Sequence, residues 1–257
     1  DTIIKYDLLS VKNEVMILFR LISLFFFKLA VLIFHTFFRI RNNIRFEGLE
    51  NISENISENS PLIIASNHAS YLDPVVISLA VYQRKRIVYW LAWDALFKVP
   101  VLSFFIRMFG AIPVKPDSSG KEHFRKAEEI LKNNGVIGIF PEGGRSKDGN
   151  IGEIKPGFVK LAFSCGAKII PALVLDSFAV WSLNKFLPGG AKLTIRFLPP
   201  VKIDKNEESK ETRKQICITL RKLFSYNLKQ YRVNTSFIRT FDGNLCESAV
   251  SDVLKFL

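Results

Sequence analysis

The stretch Asn67-His68-Ala69-Ser70-Tyr71-Leu72-Asp73-Pro74 sets a histidine and a carboxylate at fixed spacing, and these are two side-chain types that together move protons. Residues five apart on one helix are offset by about 140°, so His68 and Asp73 cannot share a helical face. A turn between a strand and a helix brings them together. The apolar run Leu62 to Ala65 predicts the strand, and Pro74 followed by Val75, Val76, Ile77, Leu79 and Ala80 predicts a helix that opens on proline. Asp73 is then the expected N-cap. The octapeptide reads as an active-site loop.

Phe140-Pro141-Glu142-Gly143-Gly144-Arg145-Ser146 is a second loop of similar build, again following a short apolar run, Val136 to Phe140. In an open parallel sheet such loops gather at the carboxyl ends of the strands, where ligands bind. The scaffold that must position them is legible as alternating strand and helix signals. Further strands are expected at Ile87 to Leu91, Gly110 to Val114, Ile169 to Leu175 and Lys192 to Phe197. Helices are expected at Ala95 to Phe109, interrupted by Pro100, at Lys121 to Lys132, at Phe158 to Cys165 and within Asp204 to Tyr231. This order predicts an α/β fold with a central, largely parallel sheet flanked by helices. Asn51 to Ser60, with its repeated Asn-Ile-Ser-Glu, reads as an exposed loop.

Val15 to Phe38 is rich in Phe and Leu but carries Arg20, Lys28 and His35. On a helix, those residues and Arg39 fall within an arc of roughly 100°, leaving a broad apolar face. An amphipathic membrane-associated helix or helical hairpin is expected there. The chain thus divides into a membrane-associating segment (1–45), a catalytic domain (46–231) and a C-terminal peripheral helix or tail (232–257). No small-residue cleavage site follows the apolar run, so no cleaved signal peptide is expected.

The 257 residues are 48% hydrophobic and 23% charged, enough for one sizeable core and too apolar for disorder. Lys and Arg outnumber Asp and Glu by 36 to 24, a net charge of +12 that favours an anionic partner. Neither zinc-finger spacing nor an RNA-binding aromatic signature is present, so no nucleic-acid partner is expected, and the phenylalanine-rich segment argues for a membrane with anionic lipids. Cys165, Cys217 and Cys246 are too scattered for a disulfide scaffold or a zinc site. A membrane-associated location on the cytoplasmic face follows.

From about Pro61 to Val174 the chain resembles the glycerolipid acyltransferase family, which includes the lysophosphatidic acid acyltransferases. The family's Asn-His, four residues, then Asp is met by Asn67, His68 and Asp73. Its Phe-Pro-Glu-Gly motif is met by Phe140, Pro141, Glu142 and Gly143, with Arg145 and Ser146 at the basic position that follows. Gly144 stands where the family usually has threonine or serine. The block ending in Ile-Pro-Val is Gly110 to Val114, with Lys115 and Pro116 in place of the usual Asp-Arg. The last block, an apolar strand with an internal proline, is met by Ile170, Pro171 and Leu173.

The resemblance implies transfer of a fatty acyl chain from a thioester, acyl-CoA or acyl-acyl carrier protein, to the free sn-2 hydroxyl of 1-acylglycerol-3-phosphate. It implies His68 as general base, because neutral imidazole, with an ordinary pKa near ~6.5, accepts a proton from an alcohol. Asp73 would fix the ring's tautomer. Asn67, Glu142, Gly143, Gly144, Arg145 and Lys115 are the implied substrate contacts, with Arg145 on the acceptor's phosphate and Glu142 orienting Arg145 or meeting a glycerol hydroxyl. No metal or other cofactor is implied, since a thioester already has a good leaving group. Three other classes fit parts of the sequence: an acceptor that is another lysophospholipid or a lyso-aminolipid, a serine hydrolase using Ser70 or Ser146, and a noncatalytic membrane lipid-binding protein.

Overall fold

Short runs of β-branched and aliphatic residues, separated by helix-forming segments, build a seven-stranded sheet. In the computed structural model, which describes residues 44–57, 60–115, 121–184, 189–190, 192–201, 203 and 205–241, the strands are β1 (Ile44–Glu47), β2 (Leu62–Ser66), β3 (Val88–Trp93), β4 (Ala111–Val114), β5 (Val136–Ile139), β6 (Lys168–Leu175) and β7 (Leu193–Phe197). Their spatial order is β1-β7-β6-β2-β5-β3-β4. Every pairing is parallel except β6 with β7.

Central β2 is buried along its whole length, which explains why its sequence is a continuous apolar run. Ile63 and Ala65 face a cluster built with helices α4 (Lys121–Lys132), α5 (Gly157–Cys165) and α7 (Lys210–Phe241). Leu62 and Ile64 face the other cluster, with α1 (Leu49–Ser57) and α2 (Asp73–Tyr82). Each such aliphatic side chain contributes about 1.5–3 kcal/mol by leaving water. On α7, Cys217, Leu220, Phe224 and Leu228 recur at helical spacing and are all buried.

The expected α/β fold with a mostly parallel sheet is the observed one. Several local expectations differ. Asn51 to Ser60 is not a loop for most of its length: it lies largely within α1, where Ile52 is fully buried against the sheet. The helical spacing of Leu49, Ile52 and Ile56 is hidden by the polar residues between them. No strand was expected at Ile44–Glu47, a short run whose place in the sheet is set by its pairing with β7. Residues before Pro100 form a 3-10 turn (Asp94–Lys98), and α3 (Pro100–Met108) starts on the proline, whose missing N–H a first helical turn tolerates. A short α6 (Ser177–Trp181) had no clear signal, and α7 continues past Tyr231 to Phe241.

The Val15 to Phe38 segment, Pro116 and residues 242–257 lie outside the described residues. Among the described residues no helix is long and apolar enough to cross a membrane. The basic turn Arg84 to Arg86 sits at the amino ends of the strands, away from the two loops at their carboxyl ends, and Arg86 donates to the Ser60 and Asn134 carbonyls there.

Candidate active site

At the carboxyl end of β2 the chain turns out of the sheet, and Asn67 holds that turn. Its Oδ1 accepts the Val174 N–H at 2.8 Å and its Nδ2 donates to the Val174 carbonyl at 3.2 Å, clipping the loop to β6. Asn67 was expected to touch substrate. Its carboxamide instead replaces a pair of sheet hydrogen bonds and is nearly buried.

His68 Nδ1 lies 2.9 Å from Asp73 Oδ2, and the same oxygen accepts the Ala69 and Ser70 N–H groups at 2.7 Å each. Asp73 therefore does not cap the helix it begins. Leu72 occupies the cap position with helical backbone angles and no side-chain cap bond, while the Asp73 carboxylate turns back to cap the preceding loop. Asp73 Oδ1 is buried without a partner, so the hydrogen bonding of the carboxylate concentrates on the oxygen facing the imidazole. An ionised carboxylate only accepts, so Nδ1 carries the proton and Nε2 is the basic nitrogen. The Asp73 side chain is fully buried, whereas that of His68 is 17% exposed, enough for a substrate to reach the ring.

A column of stacked rings sets the imidazole plane. His68 stacks on Phe140 at 3.8 Å and 12°, and Phe140 on Trp90 at 4.7 Å and 16°. These residues come from the ends of β2 and β5 and from β3, which are successive neighbours in the sheet. Trp90 is anchored by its Nε1–H to Ser78 Oγ at 2.9 Å. The column needs Gly138, because a Cβ there would lie 2.6 Å from the Trp90 ring. From the sequence alone, Phe140 had no role beyond its motif and Trp90 none in the site, and the signal for their stacking was Gly138 inside an otherwise apolar strand.

The second loop clamps the first. Glu142 Oε1 accepts the His68 N–H at 3.0 Å and Oε2 accepts the Gly152 N–H at 2.7 Å, while the Ser146 N–H donates to the His68 carbonyl at 2.7 Å. Both sides of the His68 peptide are thus held. Burial pushes the Glu142 carboxyl above its ordinary pKa, partly offset by the N–H groups of Gly152 and His68. Glu142 orients His68 rather than Arg145, since buried backbone donors at this loop crossing require an acceptor. Gly143 has a φ of +77°, the left-handed conformation that makes this loop turn. A side chain at Gly144 would meet nothing within 4 Å, so that departure from the family pattern has no steric cause.

Beyond the clamp lies an open cleft of 510 Å³, lined by Gly143, Gly144, Arg145, Lys147 and Lys155 among others. Of the carboxylates that also line it, Glu142 is committed to the clamp and Asp148 to Asn150 and Ser146, bonds that hold its carboxyl below the ordinary range, while Glu153 lies at the exposed rim. The cleft offers cations to an anion. Lys115 is not brought into it. That residue follows edge strand β4, two strand positions beyond β5.

Neither serine hydroxyl considered as a nucleophile bonds His68. Ser70 Oγ accepts from the Leu72 N–H, and Ser146 Oγ bonds Asp148 and the Gly149 N–H. Among the described residues no three His, Cys, Asp or Glu side chains converge as metal ligands.

Comparison with known proteins gives a consistent picture. A model of the Acyltransferase family matches residues 43–175, more than half of the chain and both loops. A chloroplastic 1-acyl-sn-glycerol-3-phosphate acyltransferase of Arabidopsis thaliana is 29% identical over 152 residues, covering 58% of this chain and 39% of the relative. A 1-acyl-sn-glycerol-3-phosphate acyltransferase of Borreliella burgdorferi is 28% identical over 158 residues, covering 61% of this chain and 62% of the relative. The matches therefore span less than two thirds of these relatives. The crystal structure of the 1-acyl-sn-glycerophosphate acyltransferase of Thermotoga maritima superposes with a TM-score of 0.59 at 22% identity, covering 74% of this chain and 72% of that one, a likeness of fold.

Proposed function

This chain belongs to the Acyltransferase family, and we propose that it transfers a fatty acyl chain from a thioester to the sn-2 hydroxyl of 1-acylglycerol-3-phosphate, forming phosphatidic acid. The observation that carries the reading is the His68 Nδ1 to Asp73 Oδ2 contact at 2.9 Å, beside an open cleft lined by Arg145, Lys147 and Lys155. With Nδ1–H committed to the buried carboxylate, Nε2 takes the proton of the acceptor hydroxyl as its oxygen attacks the thioester carbonyl. The tetrahedral intermediate collapses with cleavage of the C–S bond, and the departing thiolate takes the hydroxyl's proton from the imidazolium. Asp73 stabilises that imidazolium while it exists. Proton transfer of this kind contributes roughly 10²–10⁴-fold to rate. Arg145, Lys147 and Lys155 supply the charge for a phosphate monoester.

The donor is acyl-CoA or acyl-acyl carrier protein, and the reading requires no other cofactor. It also includes a location on the cytoplasmic face of a membrane with anionic lipids. Support for that comes from the net charge of +12 and from exposed Trp93, Leu96, Val99, Leu102 and Phe104, interspersed with Lys98 and Arg107 after the carboxyl end of β3. Cosedimentation of the full chain with vesicles should rise with phosphatidylglycerol content and fall with salt, and indifference to both removes the membrane element.

The test of the activity is an assay of the purified full chain with both donor types and a panel of acceptors: lysophosphatidic acid, lysophosphatidylcholine and a lyso-aminolipid. Phosphatidic acid should form, and His68→Ala should abolish it. Transfer only to another acceptor moves the specificity to that lipid, and absence of transfer from either donor to any acceptor overturns the reading.

A further inference from the structure

Arg145 has no carboxylate partner among the described residues. Its guanidinium carbon instead lies 3.7 Å from the centroid of the Tyr71 ring, and its Nη1 is buried without a hydrogen bond. The acids nearest in sequence, Glu142 and Asp148, each three residues away, are committed elsewhere, Glu142 to two backbone N–H groups and Asp148 to Ser146 and Asn150. Tyr71 is itself braced from behind. Its ring packs on Trp181 at 5.3 Å, and its N–H donates to the Trp181 carbonyl. The Tyr71 side chain is 45% exposed, so the hydrophobic core gives no reason for an aromatic at this position.

A carboxylate beside Arg145 would neutralise its charge and occupy its donors. An aromatic face does neither: it attracts the cation through the ring quadrupole and leaves the N–H groups unused. An unsatisfied guanidinium nitrogen beside an open cleft that also carries Lys147 and Lys155 is an arrangement suited to an anion. We infer that Tyr71 is a positioning residue, the platform that holds Arg145 unneutralised and aimed at the acceptor's phosphate. The inference rests on the acyl-transfer reading for the identity of that phosphate. It also gives the His68 to Asp73 spacer a double purpose. The same loop that carries the proton acceptor sets the seat of the anion, so the distance between the reacting hydroxyl and the headgroup is built into one turn of chain.

The test uses the full chain in phosphatidylcholine vesicles, with Tyr71→Leu, which removes the ring, and Tyr71→Phe, which keeps it. Kinetics are measured with lysophosphatidic acid and donor varied separately, and calorimetry measures glycerol 3-phosphate binding without turnover. Tyr71→Leu should raise the acceptor KM and weaken glycerol 3-phosphate roughly fivefold to tenfold. Donor KM, and kcat at saturating acceptor, should stay within about twofold. Tyr71→Phe should match the wild type in both measurements. The inference is overturned if Tyr71→Leu leaves the acceptor and the anion unaffected, if Tyr71→Phe is equally impaired, or if donor KM and kcat worsen in step with acceptor KM, the mark of a merely structural side chain. If the wild type acylates no lysophosphatidic acid, the activity reading fails on its own. Glycerol 3-phosphate binding then decides Tyr71: the Leu and Phe contrast sustains it, and no contrast or no binding removes it.

Discussion

Glu142 accepts the backbone N–H of His68 at 3.0 Å, so a residue from the loop after β5 holds the peptide that carries the imidazole after β2. The contact joins residues far apart in sequence and makes the two loops one site. Glu142→Gln retains the shape but presents an amide donor to one of two N–H groups, and kcat should fall by roughly 10–100-fold with the fold intact. The pH dependence has a definite sign. Burial raises the Glu142 pKa, so the folded chain holds this proton more tightly than the unfolded chain does, and the contribution of the group to stability is fully present below the ordinary carboxylate range and is lost as pH rises through the raised value. Urea midpoints from pH 4 to 8 should show that downward slope in the wild type and lose it in Glu142→Gln. Superimposable slopes would show that the carboxyl is not perturbed.

Asp73 Oδ2 accepts from the imidazole and from two backbone N–H groups. Asp73→Asn offers an NH₂ or an oxygen at that point but not the same acceptor for all three, so the imidazole loses the tautomer that leaves Nε2 basic. A fall in kcat of roughly 10⁴-fold is expected, with a much smaller rise in acceptor KM. Steady-state kinetics checks it, and a change confined to KM would reassign the carboxylate to binding.

Gly138→Ala drives a methyl group to 2.6 Å from the Trp90 ring, which must move and take Phe140 and the imidazole plane with it. The cost should be about 1–3 kcal/mol in urea denaturation, with kcat reduced as well. A variant with full stability and activity would show that the ring column does not set the orientation of His68.

Asn67→Ala strands the buried Val174 N–H and leaves the Val174 carbonyl only the longer bond from Ser177 Oγ, at 3.4 Å. A stranded N–H costs about 1–3 kcal/mol, so stability should drop by about that much while acceptor KM in the surviving folded fraction barely changes. A large KM effect at undiminished stability would return Asn67 to the role of substrate contact.

By itself the amino-acid sequence determined what is local. Apolar runs and breakers marked every strand but β1 and most helices, the spacing of His68 and Asp73 excluded a shared helical face and required a turn, and Gly143 marked the tight loop, because backbone propensity and periodicity act over a few residues. The polar spacing within Leu49–Ser57 concealed a helix whose only strong signal was burial of Ile52, a property of the sheet it meets. The tertiary structure alone decided which partners the side chains take. β2 lies between β5 and β6, neither of them next to it in the chain order of strands, and only that adjacency sets Glu142 on the His68 N–H, Asn67 on Val174 and Arg145 over Tyr71. Sheet order is chosen by burying two apolar faces at once, a sum over the whole domain, and no short stretch of residues carries that sum.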